Sequence, residues 1–276
     1  MDNPKSIKEM VKEKYGKIAK QSSGENKSSC CGSKPSASNS CCGEAEIDYS
    51  IFSDDYSKKE GYVTEADLGL GCGLPTDFAG IKKGDTVVDL GSGAGNDVFV
   101  ARSLVGETGK VIGIDMTPEM IEKANRNREK LGYKNIEFHL AEIESTPLNE
   151  NSIDVVVSNC VLNLSPEKEK AFMEVNRILK SGAHFCVSDI VLKGKLPDAL
   201  RKSAEMYAGC VSGALQEEEY LDIIKNTGFE NIEIKKSKSI NLPDEILKEY
   251  LNENELREFK NDEIGIFSIT VVGYKK

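Results

Sequence analysis

The stretch VVDLGSGAGND, residues 87–97, decides the fold. It begins as an apolar, β-branched run that favours a buried strand, and it continues into glycines at alternate positions, Gly91, Gly93 and Gly95. Glycines at these positions permit a tight turn, and they let a ligand approach the backbone closely. A helix that begins after the turn directs its N-terminus at the same place, where a carboxylate or phosphate binds favourably. The motif therefore predicts a ligand site where the first strand turns into the first helix.

Short apolar runs alternate with helical stretches on either side of this motif. Strands are predicted at 86–91, 110–116, 136–142, 153–160 and 184–191, with helices at 97–104, at 118–131 after Thr117 as N-cap, and at 166–179 after Ser165 as N-cap. This alternation is the signature of βαβ units and of a parallel sheet covered on both faces. Later strands at 231–240 and 265–276 extend the prediction to a seven-stranded, mostly parallel Rossmann-like α/β sheet with an antiparallel edge.

Three regions are predicted along the chain. Residues 1–46 combine an amphipathic helix at 5–20 with a Ser- and Gly-rich segment that carries two cysteine pairs. Residues 47–192 form the ligand-binding core, and residues 193–276 complete the sheet. Helical stretches in the last region, before Gly228 and around 245–259, are predicted to cover the site as an α+β cap.

Composition excludes several function classes for this 276-residue chain. The formal net charge of −10 and the pI near 5.0 argue against a nucleic-acid partner, which requires a basic surface. The sequence contains no apolar run of about eighteen residues and no secretory signal, so we expect a cytoplasmic protein without a membrane partner. The cytosol keeps thiols reduced, and the eight cysteines are therefore not interpreted as a disulfide framework.

Two acids flank the predicted ligand site. Asp89 precedes the glycines, where a carboxylate suits a ligand that carries an amino group and repels a pyrophosphate. Asp115 ends the second strand, 20 residues beyond Gly95, where a carboxylate can accept both ribose hydroxyls. The glycine triplet alone leaves a dehydrogenase and a methyltransferase equally open.

Four motifs that follow one another along the chain decide, by resemblance, between a dehydrogenase and a methyltransferase. DLGSGAGND, GIDMTPEM, LAEIESTP and DVVVSNCVLNLSPEK end the first four strands, and together they resemble class I S-adenosylmethionine methyltransferases. The resemblance implies that Glu142 and Ile143 contact the adenine, that Asn159 lies beside the methionine portion, and that Met116 belongs to the same cofactor site. S-adenosylmethionine is accordingly the expected cofactor.

Single cysteines from separate parts of the chain are predicted to meet at this sheet edge. Cys160 follows the fourth strand, Cys72 lies in a glycine-rich segment ahead of the sheet, and Cys210 follows a helix expected to pass above the same edge. Each cysteine alone is more simply a small buried apolar residue, and Cys186 fits that interpretation best. His139 and His184 are interpreted as structural residues.

The segments around these cysteines narrow the resemblance. GLGCGLP, SNCVLNLSP and YAGCVSGAL look like the cysteine motifs of arsenite methyltransferases, and Tyr15–Gly16 with the Cys30–Cys31 pair is similar to the start of that family. The resemblance implies that Cys72, Cys160 and Cys210 bind trivalent arsenic, that Cys31 takes part in disulfide exchange, and that thioredoxin or glutathione supplies electrons. Three thiolates suit a soft, pyramidal arsenic ion, whereas zinc favours a fourth protein ligand. A second pair, Cys41 and Cys42, departs from the family pattern.

Three alternatives remain at this stage. A methyltransferase of the ubiquinone-biosynthesis type shares the cofactor motifs and uses its cysteines only for packing. A thiol-rich protein on the same scaffold sequesters arsenic or another metal without turnover. In the third alternative, the cysteine pairs Cys30–Cys31 and Cys41–Cys42 bind a metal ion of their own.

Overall fold

The chain is described by a computed structural model that covers residues 4–20, 54–194, 213–240, 247–248, 252–254, 256–257 and 265–276. Its strands are β1 (Thr86–Leu90), β2 (Lys110–Asp115), β3 (Ile136–Leu140), β4 (Ile153–Asn159), β5 (Leu179–Lys193), β6 (Leu215–Gln216), β7 (Phe229–Ile240) and β8 (Gly265–Lys275). Its helices are α1 (Pro4–Lys20), α2 (Pro75–Phe78), α3 (Asn96–Val105), α4 (Pro118–Leu131), α5 (Lys168–Ile178) and α6 (Glu217–Asn226).

One mixed sheet organises these elements. Its order is β3-β2-β1-β4-β5-β8-β7, and β6 pairs with the end of β5. The first five strands are parallel, whereas β8 runs antiparallel to both β5 and β7. The chain leaves β1 towards β3 and later returns to β4 on the other side, so the reversal point lies between β1 and β4. In open α/β sheets, ligands bind outside the carboxyl ends of the strands at such a point.

Each face of the sheet buries an apolar layer. In β1, Val87 belongs to a cluster with α3, whereas Val88 belongs to a second cluster with α5 and α6. Neighbouring residues of a strand point to opposite faces, which explains why the central strands are apolar at consecutive positions. Phe172 of α5 packs its ring against Phe185 of β5 and Tyr220 of α6, and all three side chains are fully buried. This packing holds the carboxyl ends of β4 and β5 in a fixed relation.

The Rossmann-like fold predicted from the sequence is confirmed, with an eighth short strand, β6, that the pattern did not indicate. Several predicted boundaries shift by one or two residues, and the start of β5 shifts by five. Helix α5 begins at Lys168 with Glu167 as its N-cap, whereas Ser165, the predicted N-cap, lies ahead of the helix, where its hydroxyl accepts the Glu167 N–H at 3.0 Å and contacts Glu144 Oε1 at 2.5 Å. Strand β5 begins at Leu179 rather than at 184, so the preceding helix ends one residue earlier than predicted.

The terminal regions are described in part. The predicted N-terminal helix is present as α1, and it packs against α4. Helix α6 ends shortly before Gly228, as expected. Cys210, the four N-terminal cysteines and most of the predicted helix at 245–259 lie outside the described residues. Across the described ranges, no helix is long and apolar enough to cross a membrane. The three-region division remains a prediction.

Candidate active site: an acidic cavity beside two thiols

A cavity opens at the carboxyl ends of β1, β2 and β4, beneath helix α1. Eight of the residues predicted for the site line it: Asp89, Gly91, Gly93, Asp115, Met116, Ile143, Asn159 and Cys160. Gly95 and Glu142 do not line it, and Glu142 instead borders a shallow groove on the outer side of α1. The structure therefore brings most of the predicted site together at the reversal point of the sheet.

The glycines of the loop after β1 serve different purposes. Gly91 has a φ of +73°, and a Cβ there would lie 2.2 Å from Cγ2 of Val161, so a side chain would collide with the segment that follows β4. The Gly93 N–H donates to Oδ2 of Asp115 at 2.9 Å. Gly95 is the N-cap of α3, and a Cβ there would lie 2.9 Å from the Phe99 ring. Gly91 and Gly93 thus shape the cavity, whereas Gly95 permits close packing of the helix on the sheet.

Three buried carboxyl groups line the cavity. Burial, followed by the charges of Asp97 and Asp115, raises the pKa of Asp89 well above its ordinary value. Burial also raises the pKa of Asp97 to about 6, although hydrogen bonds from Tyr56 and Asn159 oppose the shift. Burial raises the pKa of Asp115 despite backbone hydrogen bonds from Thr117 and Gly93. Carboxylates held so close together in low dielectric favour a positively charged ligand.

The cavity residues fit S-adenosylmethionine, which carries an ammonium and a sulfonium group. Asp89 and Asp97 offer negative charge, and both Asp115 oxygens are oriented by N–H donors, at 2.8 Å from Thr117 and 2.9 Å from Gly93. Ser92 and Asn96 also line this space, and among the described residues their buried Oγ and Oδ1 atoms have no hydrogen-bond partner.

Lysine 8 of α1 closes one side of the cavity. Its Nζ lies 2.8 Å from Glu142 Oε2, 3.1 Å from Glu144 Oε1 and 3.6 Å from Glu167 Oε2. Lys8, Val11 and Glu144 all line the cavity. Burial opposes the charge of the Lys8 ammonium, yet the hydrogen bonds to Glu142 and Glu144 prevail and raise its pKa. These ion pairs hold helix α1 over the site.

Asn159 connects the cavity to the Cys72 segment. Its Oδ1 accepts the backbone N–H groups of Cys72 at 3.0 Å and Gly73 at 3.3 Å. Its Nδ2 lies 2.9 Å from the Gly73 carbonyl oxygen and 2.7 Å from the Tyr56 hydroxyl. The residue that ends β4 therefore holds a loop from 86 residues earlier in the chain.

The described cysteines occupy different environments. Cys160 lines the cavity with 6% of its surface exposed, and it has a φ of +60°, a left-handed conformation that costs free energy for any residue with a side chain. Cys72 is fully buried and does not line the cavity. Cys186 is buried in β5, where its Sγ lies 3.2 Å from the Pro75 carbonyl oxygen, and burial raises its pKa strongly. Its surroundings agree with the predicted packing role.

A buried phenol lies within electrostatic range of both Cys72 and Cys160. The Tyr220 hydroxyl donates to Asp189 Oδ2 at 3.1 Å, and its pKa is raised well above normal by burial, then by Asp189, with further contributions from the charges of Cys72 and Cys160. Within the described part of the chain, no group of three His, Cys, Asp or Glu side chains is placed to hold a metal ion. Cys210 lies outside that part. His184 Nε2 contacts the Ala79 carbonyl oxygen at 2.5 Å, and His139 lies beside Glu137.

The residues of this site that sequence reasoning missed include Lys8, Tyr56, Asp97 and Glu144. Asp97 had a local signal, because it follows the glycines in the first turn of α3. Glu144 lies two residues beyond Glu142, and a short turn bridged between Glu142 and Ser145 brings it to the cavity. Tyr56 and Lys8 gave no signal, since both reach the site across more than 40 residues of chain.

The comparisons with known proteins place the fold in a methyltransferase class. The family described as a methyltransferase domain matches residues 81–228, which is more than half of the chain. An arsenite methyltransferase from Halobacterium salinarum is 41% identical over 243 residues, covering 84% of this chain and 59% of that protein. The structure of an arsenic (III) S-adenosylmethionine methyltransferase from Chlamydomonas reinhardtii matches with a TM-score of 0.63 and 36% identity, covering 74% of this chain and 67% of that one.

The chain belongs to the arsenite methyltransferase family. It spans 59% and 54% of the length of the first two curated relatives it matches. A ubiquinone/menaquinone biosynthesis C-methyltransferase from Salmonella arizonae is 34% identical over 112 residues, covering 40% of this chain and 45% of that protein. The match to the Halobacterium salinarum enzyme therefore extends over twice as much of this chain as the match to the quinone enzyme.

Proposed function

We propose that this chain transfers methyl groups from S-adenosylmethionine to trivalent arsenic bound by Cys72, Cys160 and Cys210. One observation carries the proposal: the thiol-bearing residue Cys160 lies on the wall of a cavity lined by three buried carboxyl groups, directly after Asn159. The names of the relatives support arsenic as the acceptor.

In this proposal, the residues that bind the methyl donor, which we call the donor half of the site, have separate roles. S-adenosylmethionine, when bound, supplies an electrophilic methyl group on a sulfonium. Asp89 and Asp97 neutralise its positive charges, and Asp115 accepts its ribose hydroxyls. Met116 and Ile143 provide apolar walls for the adenine, and Glu142, at the outer side of α1, stays a proposed contact of the adenine edge. Gly91 and Gly93 keep the backbone close to the ligand.

The acceptor half requires orientation and no general base. Arsenic bound by three thiolates keeps a lone pair, which attacks the methyl carbon directly, so no proton is transferred in that step. The new As–C bond would use this electron pair while the bond between the methyl carbon and the sulfonium sulfur breaks. The electrons of that bond would stay on sulfur, which leaves as a neutral thioether, and arsenic would become formally pentavalent. The site is consistent with such a reaction, because Asn159 and Asp189, the polar residues bonded to the Cys72 backbone and to the nearby Tyr220 hydroxyl, are already engaged in hydrogen bonds.

Formation of a disulfide between two cysteines would return the arsenic to the trivalent state. The thiolate of Cys31, or of another N-terminal cysteine, attacks the sulfur of one arsenic-bound cysteine. The As–S electron pair stays on arsenic, and the two sulfurs form a disulfide. Thioredoxin or glutathione then reduces that disulfide and releases the enzyme for another turn. This step explains the presence of cysteines beyond the three proposed ligands.

Product speciation tests the proposal. Purified protein with arsenite, S-adenosylmethionine and reduced thioredoxin is expected to produce methylated arsenic. Arsenic binding without a methylated product would indicate a sequestering protein. Failure to bind arsenite, with methylation of a quinone precursor, would indicate the quinone-type alternative. Glutathione in place of thioredoxin identifies the reductant.

A further inference from the structure

The chain turns sharply at Cys160, directly after β4. Strands β4 and β5 stay in parallel register up to the pair of Asn159 and Ser188, and the Cys160 N–H still donates to the Ser188 carbonyl oxygen at 2.8 Å. Cys160 itself then adopts its φ of +60°, which ends the extended strand. Strain of this kind persists only where surrounding contacts enforce it. The contacts made by the residues that follow Cys160 must therefore hold the turn.

Asp189 of β5 makes one of these contacts. Its side chain is 1% exposed, and its Oδ2 accepts the backbone N–H of Asn163, three residues beyond Cys160, at 3.0 Å. The fully buried Asn163 side chain adds a second bond, because its Nδ2 donates to the Ile190 carbonyl oxygen at 2.5 Å. A buried N–H that lacks an acceptor is costly, so the Asp189 carboxyl group stabilises this particular path of the chain. The short 3₁₀ turn at Leu162–Leu164 is thus tied to β5 at two points.

The Asp189 carboxyl group is itself held in place. Its Oδ2 also accepts the hydroxyl of the fully buried Tyr220 at 3.1 Å, and its Oδ1 accepts the Ile190 N–H at 3.1 Å. On the other side of the turn, Val161 packs where a Cβ at Gly91 would lie 2.2 Å from its Cγ2. The turn therefore lies between a fixed carboxyl group on β5 and the glycine loop of the cofactor cavity.

We infer that Asp189 is a positioning residue that holds the turn after Cys160, keeps the Cys160 backbone left-handed and thereby aims its thiol at the cofactor cavity. Asp189 itself does not line the cavity, whereas Cys160 does, so Asp189 acts through the turn. Methyl transfer requires the acceptor to lie in line with the methyl group, and a displacement of about 1 Å reduces the rate about a hundredfold. The catalytic part of this inference rests on the proposed function, in which Cys160 binds arsenic.

A double-mutant cycle between Asp189→Ala and Cys160→Gly tests the link between the carboxyl group and the strained backbone. The folding equilibrium constants of the two single variants, the double variant and the wild-type chain are measured by urea unfolding under reducing conditions. Glycine relieves strain only where the strain is enforced. Cys160→Gly should therefore favour folding about fivefold more in the wild-type background than in the Asp189→Ala background. The lost sulfur and the greater freedom of glycine in the unfolded chain are common to both backgrounds and cancel.

Asn163→Ala repeats the cycle with a milder change, because it removes only the bond to the Ile190 carbonyl oxygen. It should show coupling of the same sign, about twofold, and it decides the question if Asp189→Ala does not fold. Equal effects of Cys160→Gly in all backgrounds overturn the inference. Glu174→Ala is the matched control, since Glu174 is also a buried carboxyl group and accepts the Thr146 N–H at 2.7 Å. Coupling of the same size in this control indicates general loosening and also overturns the inference.

The catalytic consequence is measured separately. Asp189→Ala should lower kcat for arsenite methylation about a hundredfold, while the Kd of S-adenosylhomocysteine stays within about threefold of the wild-type value. Parallel loss of kcat and of cofactor affinity indicates a merely structural role and overturns the inference. The unfolding cycle uses neither arsenic nor cofactor. Failure of the wild-type chain to methylate arsenite therefore contradicts the proposed function alone, whereas an absent coupling contradicts the role of Asp189 alone.

Discussion

The donor half and the acceptor half of the site differ in how completely the fold prepares them. The donor half consists of loops at the ends of β1 and β2, where glycines and backbone N–H groups set the position of Asp115. The acceptor half combines Cys160 in a strained turn with Cys72 in a loop held by side chains from distant strands. In the proposed function, cofactor binding therefore depends on local backbone geometry, whereas acceptor binding depends on tertiary contacts. The two halves should therefore fail separately.

The largest expected effect comes from the acceptor half. Cys160→Ser should reduce methylation of both arsenite and monomethylated arsenic by at least about a thousandfold, because a hydroxyl does not bind soft arsenic and orientation is lost. Affinity for S-adenosylhomocysteine, measured by calorimetry, should stay within about twofold of the wild-type value. Cys186→Ser is the matched control and should retain activity. Retained arsenite turnover in Cys160→Ser would contradict the proposed function.

Cys72→Ser tests whether the first and the second methylation require the same thiolates. Monomethylated arsenic already has one carbon ligand and needs two thiolates, so we expect this variant to lose arsenite methylation and to keep the second methylation. Separate assays with arsenite and with the monomethylated acceptor measure the two steps. Equal loss in both would place Cys72 in the second step as well.

In the donor half, Asp115→Ala should weaken S-adenosylhomocysteine binding about a hundredfold, since two hydrogen bonds to a charged acceptor are lost. Calorimetry measures the change. Asp154→Ala provides the control, because Asp154 pairs with Lys180 at the opposite end of β4. Arsenite binding by Asp115→Ala, followed by mass spectrometry, should be reduced far less than cofactor binding. Comparable weakening of cofactor binding and arsenite binding would contradict the expectation that the two halves fail separately.

Acidification should also act on the donor half. The pKa of Asp97 is raised to about 6, chiefly by burial, so the carboxyl group becomes neutral as the pH falls through that value. The cationic ligand prefers the ionised form, and its affinity should therefore decrease about tenfold as the pH falls from neutral to about 5. Calorimetric titrations between about pH 7.5 and 5 test this. The slope should diminish in Asp97→Asn, and an unchanged slope would assign the titration to another group.

The smallest expected effect concerns helix α1. Lys8→Gln removes the ion pairs with Glu142, Glu144 and Glu167, and it should weaken cofactor binding about threefold, in line with partly exposed ion pairs. Raised salt should weaken the wild-type protein similarly and the variant less. Lys17→Gln is the matched control on the same helix, since its pair with Glu13 is exposed on both sides. An equal effect of both substitutions would argue against a role for the Lys8 contacts.

The sequence predicted the donor half better than the acceptor half for a physical reason. The residues that follow β1 and β2 are positioned by strand and turn geometry, which leaves a local pattern such as the spacing of Gly91 and Gly93. The bonds from Asn159 to Tyr56 and to the Cys72 segment span 103 and 87 residues, and no local pattern records them. Periodicity also placed the start of α5 two residues early, because it does not distinguish the turn at 166–167, where the Glu167 N–H donates to the Ser165 hydroxyl, from the first turn of a helix.

The C-terminal part illustrates the same limit. Both final strands were predicted, and β7 alternates exposed with partly buried residues, as an edge strand should. The two-residue strand β6 is too short to leave a periodic pattern. Glu142 and Glu144 differ by only two positions, and the turn between them decides which side chain faces the cavity.

At Cys160, the left-handed backbone lowers stability, whereas the side chain supplies the thiol that the proposed reaction needs. Glycine adopts this conformation without strain, so Cys160→Gly should relieve a cost of about 1 kcal/mol while it removes the sulfur. A thermal melt and an activity assay on that one variant would then move in opposite directions. Selection for stability alone would favour glycine at position 160. A cysteine that persists there would therefore reflect selection for its thiol.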